Sequence, residues 1–209
     1  MTIQILLIAH IVLGAIALIA GGVAAFSKKG NNFHRKSGKI FAVSMLLCAL
    51  AAIALSTLKP NPFLFGIGLF TIYLVGSGWI WSFRTRQKLK ESVAKYIGIF
   101  GLFAAAYLLF ISFSGNGVNV VSAVFGSLML VLSSTDIFRK LPPHKNMARH
   151  GGRMGGAYIA AFTAFLVVNI DFLPPLMVWL LPTAIGTPLI IIGIGRWESR
   201  AGARKTKTL

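Results

Sequence analysis

Apolar residues run along this chain in seven unbroken stretches, at approximately 3 to 26, 38 to 58, 63 to 83, 93 to 114, 117 to 137, 152 to 170 and 173 to 195. Each is about 20 residues long, the length an α-helix needs to cross ~30 Å of hydrocarbon. The pattern predicts an all-α protein, a polytopic transmembrane bundle of seven helices. It forms one domain over residues 1–209 that ends in a short basic tail at 196–209. The first apolar run lacks a preceding basic segment and is too long for a signal-peptide core, so it is expected to remain as a helix.

The polar positions between these stretches alternate in charge. Lys28, Lys29, Arg35, Lys36 and Lys39 fall in the first connection, and Arg84, Arg86, Lys88, Lys90 and Lys95 in the third. Arg139, Lys140, Lys145, Arg149 and Arg153 fall in the fifth, and Arg196, Arg200, Arg204, Lys205 and Lys207 in the tail. The second connection has only Lys59, while the fourth (Ser114-Gly115-Asn116-Gly117) and sixth (Asp171 to Pro175) have no basic residue. Lys and Arg collect on the cytoplasmic side of a membrane, which puts the amino terminus outside and the carboxyl terminus in the cytoplasm. An odd number of crossings is what that assignment requires.

Composition agrees with the pattern. Charged residues make up 12% of the chain and hydrophobic ones 56%, against about 25% charged in a soluble domain. The formal charge of +17 would point to nucleic acid in a soluble protein. Here the basic residues lie in short runs between membrane segments with no continuous basic face, so the expected partner is the lipid bilayer, including anionic lipid, and not nucleic acid. The one cysteine, Cys48, can form no internal disulfide and reads as a packing residue.

Helix contacts are legible as well. Small residues four apart let helices approach closely in lipid. Gly14, Ala17, Gly21 and Ala25 form such a stripe in the first helix. Gly151/Gly155 and Gly152/Gly156, continued by Ala160 and Ala164, form one in the sixth. Trp79 and Trp81 read as interfacial anchors. Pro182 and Pro188 predict a kinked seventh helix, with Thr183 and Thr187 placed to satisfy freed carbonyls. His34 and His150 each follow a basic loop and open an inward-to-outward helix. That echo matches the three-plus-one-plus-three repeat of small sugar transporters.

Candidate chemistry gathers at the basic boundary. His34, Asp136 and His150 lie at similar depth, and two imidazoles with a carboxylate are a legitimate set for a divalent metal. The bland alternative is that both histidines cap helix starts and that Asp136 pairs with Arg139, Arg149 or Arg153. Arg35, Arg149 and Arg153 are candidates for binding an anion, a lipid phosphate or a haem propionate. A further candidate is His10, deep in the first helix, where an ionisable residue is costly. Its bland reading is a hydrogen bond to Tyr73, Asn169 or Tyr107. Several classes are excluded: there is no lysine in the seventh helix for a retinal Schiff base and no P-loop, GxSxG or HExxH. No CxxC is possible, and the two stacked histidine pairs of an ascorbate-reducing cytochrome are missing.

Taken in order, the motifs resemble a family of bacterial membrane proteins known as domain of unknown function 2306. The resemblance rests on His10, His34-Arg35 with Gly38, Phe125-Gly126, Asp136, His150 with Met154, Thr163-Ala164-Phe165 with Asn169, and Trp179-Leu180 with Pro182-Thr183. It covers nearly the whole chain, departing at Lys145-Asn146, where that family often has tryptophan. It implies a bacterial inner-membrane protein and no named activity. The leading expectation is a ligand, metal or haem site on His34, Asp136 and His150, with haem b or zinc as the cofactor. One alternative is a small-molecule transporter using His10 and the seventh helix. The other is a zinc-dependent membrane hydrolase, akin in helix count to the adiponectin-receptor and ceramidase group.

Overall fold

The computed structural model describes residues 1–83, 85–115, 117–139 and 142–206, with side chains to residue 199. Among the basic positions counted above, Arg84, Lys140 and Lys207 lie outside the described residues, as does Asn116. Every apolar stretch is a helix: α1 (Thr2–Phe26), α2 (Asn32–Leu58), α3 (Pro62–Ile80), α4 (Gln87–Phe113), α5 (Val120–Phe138), α6 (Asn146–Asn169) and α7 (Pro175–Thr206). All seven are long and apolar enough to span a membrane. No strand occurs among the described residues.

The helix ends differ from the apolar limits for a physical reason. Hydropathy marks the part of a helix that sits in hydrocarbon, whereas the backbone stays helical wherever its end groups find partners. Thus α2, α4 and α6 each start six residues ahead of their apolar stretch. At the start of α2, Gly30 takes a φ of 83° to turn the chain, and the Asn31 side chain accepts from the His34 N–H at 2.7 Å. Asn61 and Asn119 cap α3 and α5 in the same way, each accepting at 3.0 Å. Residues 196–206, expected as a tail, continue α7, and that helix runs unbroken through Pro182 and Pro188.

Helix α3 is the centre of the bundle, touching α2, α4, α5 and α6, while α1 lies on α2 and α6, and α7 lies on α6 and the edge of α5. Small residues make these contacts possible. A Cβ on Gly21 would stand 2.5 Å from the Tyr158 ring and 2.9 Å from that of Phe41, so only glycine lets α1 meet α2 and α6 there. The stripe in α1 is rotated from its expected path, with Ala17, Ala20, Gly21 and Ala24 buried and Ala25 exposed. In α6 the glycine part of the stripe makes the expected contacts, Gly155 facing Ile190 of α7 and Gly156 facing Leu74 of α3, while Ala164 is exposed. Three of the buried hydroxyls are answered within their own helices, Ser37 by the Phe33 carbonyl, Thr71 by Ile67 and Ser133 by Met129. The outer surface carries Ile19, Phe103, Phe110, Val168 and Ile191 largely exposed. A large exposed apolar surface of this kind fits an integral membrane protein in contact with lipid.

Gly21→Leu is expected to lower stability by about 1–3 kcal/mol through overpacking, read as a fall in thermal midpoint in detergent. Gly38→Ala is the control, since no atom lies within 4 Å of a Cβ there. It should hold or raise the midpoint, alanine being the better helix former.

Candidate functional site at the basic end of the bundle

Three side chains from three helices meet inside the bundle near the ends of α3 and α5. Arg153 of α6 stands 3.0 Å from Oδ2 of Asp136 in α5, both side chains being almost wholly buried. Tyr73 of α3 donates to the same oxygen at 2.6 Å, and the guanidinium lies 5.6 Å above the tyrosine ring. Arg153 also donates to the Leu132 carbonyl at 2.8 Å and to Thr135 Oγ1 at 3.1 Å, which secures it to the last turns of α5. Glycines make room for the group. A Cβ on Gly78 would be 2.8 Å from Arg153 Cβ, and one on Gly101 would be 2.7 Å from the Tyr73 ring. Asp136 Oδ1 and Arg153 Nε have no partner among the described residues.

The histidines form a second cluster. His34, the third residue of α2, places Nδ1 2.9 Å from the carbonyl of Ala24 near the end of α1. His150, in the second turn of α6, places Nδ1 2.9 Å from the carbonyl of Gly78 near the end of α3. A carbonyl only accepts, so each Nδ1 carries a proton, and in the neutral form of each ring Nε2 keeps its lone pair. Neither Nε2 is hydrogen-bonded among the described residues. The two ring centres are 6.4 Å apart with planes at 83°. The rings therefore satisfy the last carbonyls of neighbouring helices, not the starts of their own. Lys29 does the same for Ala24 and Ala25, at 3.3 and 2.6 Å, and burial pushes its amine below the ordinary range.

Of the sequence candidates, the structure brings His34 and His150 together and sets Asp136 apart with Tyr73 and Arg153. Among the described residues, no group of three or more His, Cys, Asp or Glu side chains lies close enough to hold a metal. The arginines are separated too. Arg35 is exposed and donates to Asn32 at 3.0 Å. Arg149 donates to the Arg139 carbonyl at 2.6 Å and stacks 4.4 Å above Trp81. Trp81 is thus a buried platform, not the interfacial anchor expected of it. His10 finds Cys48, with Nδ1 3.0 Å from the carbonyl and 3.3 Å from Sγ, instead of Tyr73, Asn169 or Tyr107. Asn169 is exposed and donates to the Phe165 carbonyl of its own helix at 2.7 Å.

Sequence reasoning missed a polar ring around this end: Asn146 donates to Gln87 at 2.8 Å, Gln87 to Glu91 at 2.8 Å, and Lys145 pairs with Glu198 at 2.7 Å. The start of α6 is tied by these bonds to α4 and α7. No protein-family model, curated protein or solved structure matches this chain.

Asp136→Leu alone is expected to cost about 3–5 kcal/mol, because it strands the Arg153 charge in the interior. Adding Arg153→Met should recover much of that loss. A double-mutant cycle by unfolding in detergent reads the coupling, and additive effects would show that the two groups do not act as an ion pair.

Proposed function

We propose that the chain is a multi-pass protein of a bacterial inner membrane, its basic end in the cytoplasm, that binds a metal-centred ligand between His34 and His150. The observation that carries this reading is the matched state of the two imidazoles. Each Nδ1 is committed to a backbone carbonyl and each Nε2 is left with its lone pair, the arrangement that orients a histidine as a ligand. With bonds of ~2.0–2.1 Å, two imidazoles sharing one metal have ring centres about 5 to 6.5 Å apart, depending on the angle. The separation of 6.4 Å lies at the upper edge of that range.

Charge favours a metal that brings anionic groups with it. Lys28, Lys29, Arg35 and Lys36 surround His34 in sequence, and they repel a bare dication while attracting the carboxylates of a haem. The sidedness rests on the same residues, through the preference of Lys and Arg for the cytoplasmic face. The resemblance of His10, His34, Asp136 and His150 to the positions of the domain of unknown function 2306 family accords with the bacterial setting. The hydrolase reading loses support because Asp136 is engaged by Arg153 and Tyr73. The transporter reading loses it because His10 is spent on a contact between α1 and α2, and Asn169 on its own helix.

The test is to measure iron and zinc in the purified protein, then titrate it with Cu(II) and with haem. One equivalent is expected, seen as nitrogen coupling in the Cu(II) spin-resonance spectrum or as a low-spin haem spectrum. Binding should fall by at least tenfold in His34→Ala and in His150→Ala and persist in His144→Ala, which replaces an exposed histidine outside the pair. Equal binding by the His34→Ala/His150→Ala double variant would overturn the reading.

A further inference from the structure

The opposite end of the bundle is nearly free of charge, which makes its one carboxylate conspicuous. Glu91, Asp136 and Glu198 all belong to the basic end, so Asp171, in the connection between α6 and α7, is the only acid at the other. It borders a cavity of about 340 Å³ whose walls include Val167, Ile170, Pro175, Val178 and Trp179. Asp171 is exposed and makes no ion pair or side-chain hydrogen bond among the described residues. The one basic side chain at this end, Lys59, lies in the connection between α2 and α3. Trp179 is fixed in place by edge contacts to Phe63, with ring centres 4.9 Å apart, and to Phe125, 6.4 Å apart.

We infer that this cavity binds a small organic ammonium ion. The carboxylate supplies the opposite charge, the indole supplies a ring face that attracts cations, and the aliphatic wall takes up apolar substituents. The volume lies at the small end of ligand sites, which limits the occupant to a compact amine. A bare metal ion is a poor match, since one carboxylate leaves most of the oxygen ligands of a hard cation unsupplied. The same chemistry is offered by a water-borne amine and by the amine headgroup of a phospholipid.

The probe is benzyltrimethylammonium, titrated calorimetrically into the protein in nanodiscs of phosphatidylglycerol, which carries no amine, with empty discs subtracted. Saturable one-to-one binding is expected. Asp171→Asn should weaken it about tenfold, the size of one charge contact near a surface. Trp179→Leu should weaken it several-fold, and Trp179→Phe should restore most of the loss. Adding phosphatidylethanolamine to the discs separates the two sources: a fall in apparent affinity identifies the lipid headgroup as an occupant, and an unchanged affinity identifies a water-borne amine. Absence of saturable binding, or binding unchanged in Asp171→Asn, would refute the inference.

Discussion

Arg153 and Asp136 face each other at 3.0 Å inside a bundle whose surroundings are hydrocarbon, and most of the packing near them follows from that contact. A charged side chain costs about 2.5–3.5 kcal/mol at the centre of a membrane helix on insertion scales, an upper bound for groups near helix ends such as these. Two such groups persist only if their charges and hydrogen bonds are answered by the protein. The demand is met by the end of α5 through Leu132 and Thr135, and by α3 through Tyr73. It also requires backbones close enough for short side chains to meet, hence glycine at Gly78, Gly98 and Gly101, where a Cβ would collide with Arg153, Ile137 or Tyr73. The pair thereby sets the register of α5 and α6 against the central helix.

The histidines answer a different need of the same environment. The last carbonyls of a helix have no partner within it, and α1 and α3 both end at the basic face. His34 and His150 donate to one carbonyl each, and the partial negative charge of a helix end favours such donors. That role alone accounts for the Nδ1 contacts. It does not account for two helices, far apart in sequence, bringing imidazole rings within 6.4 Å of each other with no hydrogen bond to either Nε2 among the described residues. A cap for α1 could be any donor, and Lys29 already supplies one.

Hydropathy recovered the seven helices, because it follows how far along the chain each apolar stretch runs. It could not recover direction around the helix. His34, Asp136 and His150 were read together from their places at the helix ends, yet Asp136 turns towards α3 and α6 inside the bundle while the histidines meet elsewhere. Arg153 was among three partners open to Asp136, and burial selects it: Arg149 has Trp81 and the Arg139 carbonyl, while Arg153 is almost wholly buried. Tyr73 was legible as polar but was linked to His10, whose true partner, Cys48, looked like packing. The polar ring of Gln87, Glu91 and Asn146 was hidden because it lies in helical turns beyond the apolar stretches, where no periodic signal marks them.

The two clusters at the basic end are not independent. Gly78 accepts the hydrogen bond from His150 through its carbonyl, and its missing side chain gives Arg153 the space it occupies. His150 and Arg153 are three residues apart on α6, so they lie on adjoining sides of one helical turn. A ligand that drew His150 away from the Gly78 carbonyl would shift that turn and with it the guanidinium. The Arg153–Asp136 pair, held in a low-dielectric site, resists such a shift more strongly than a neutral hydrogen bond would. The buried ion pair therefore acts as the rigid support for His150, and the orientation of the imidazole is fixed by one crossing of α3 and α6.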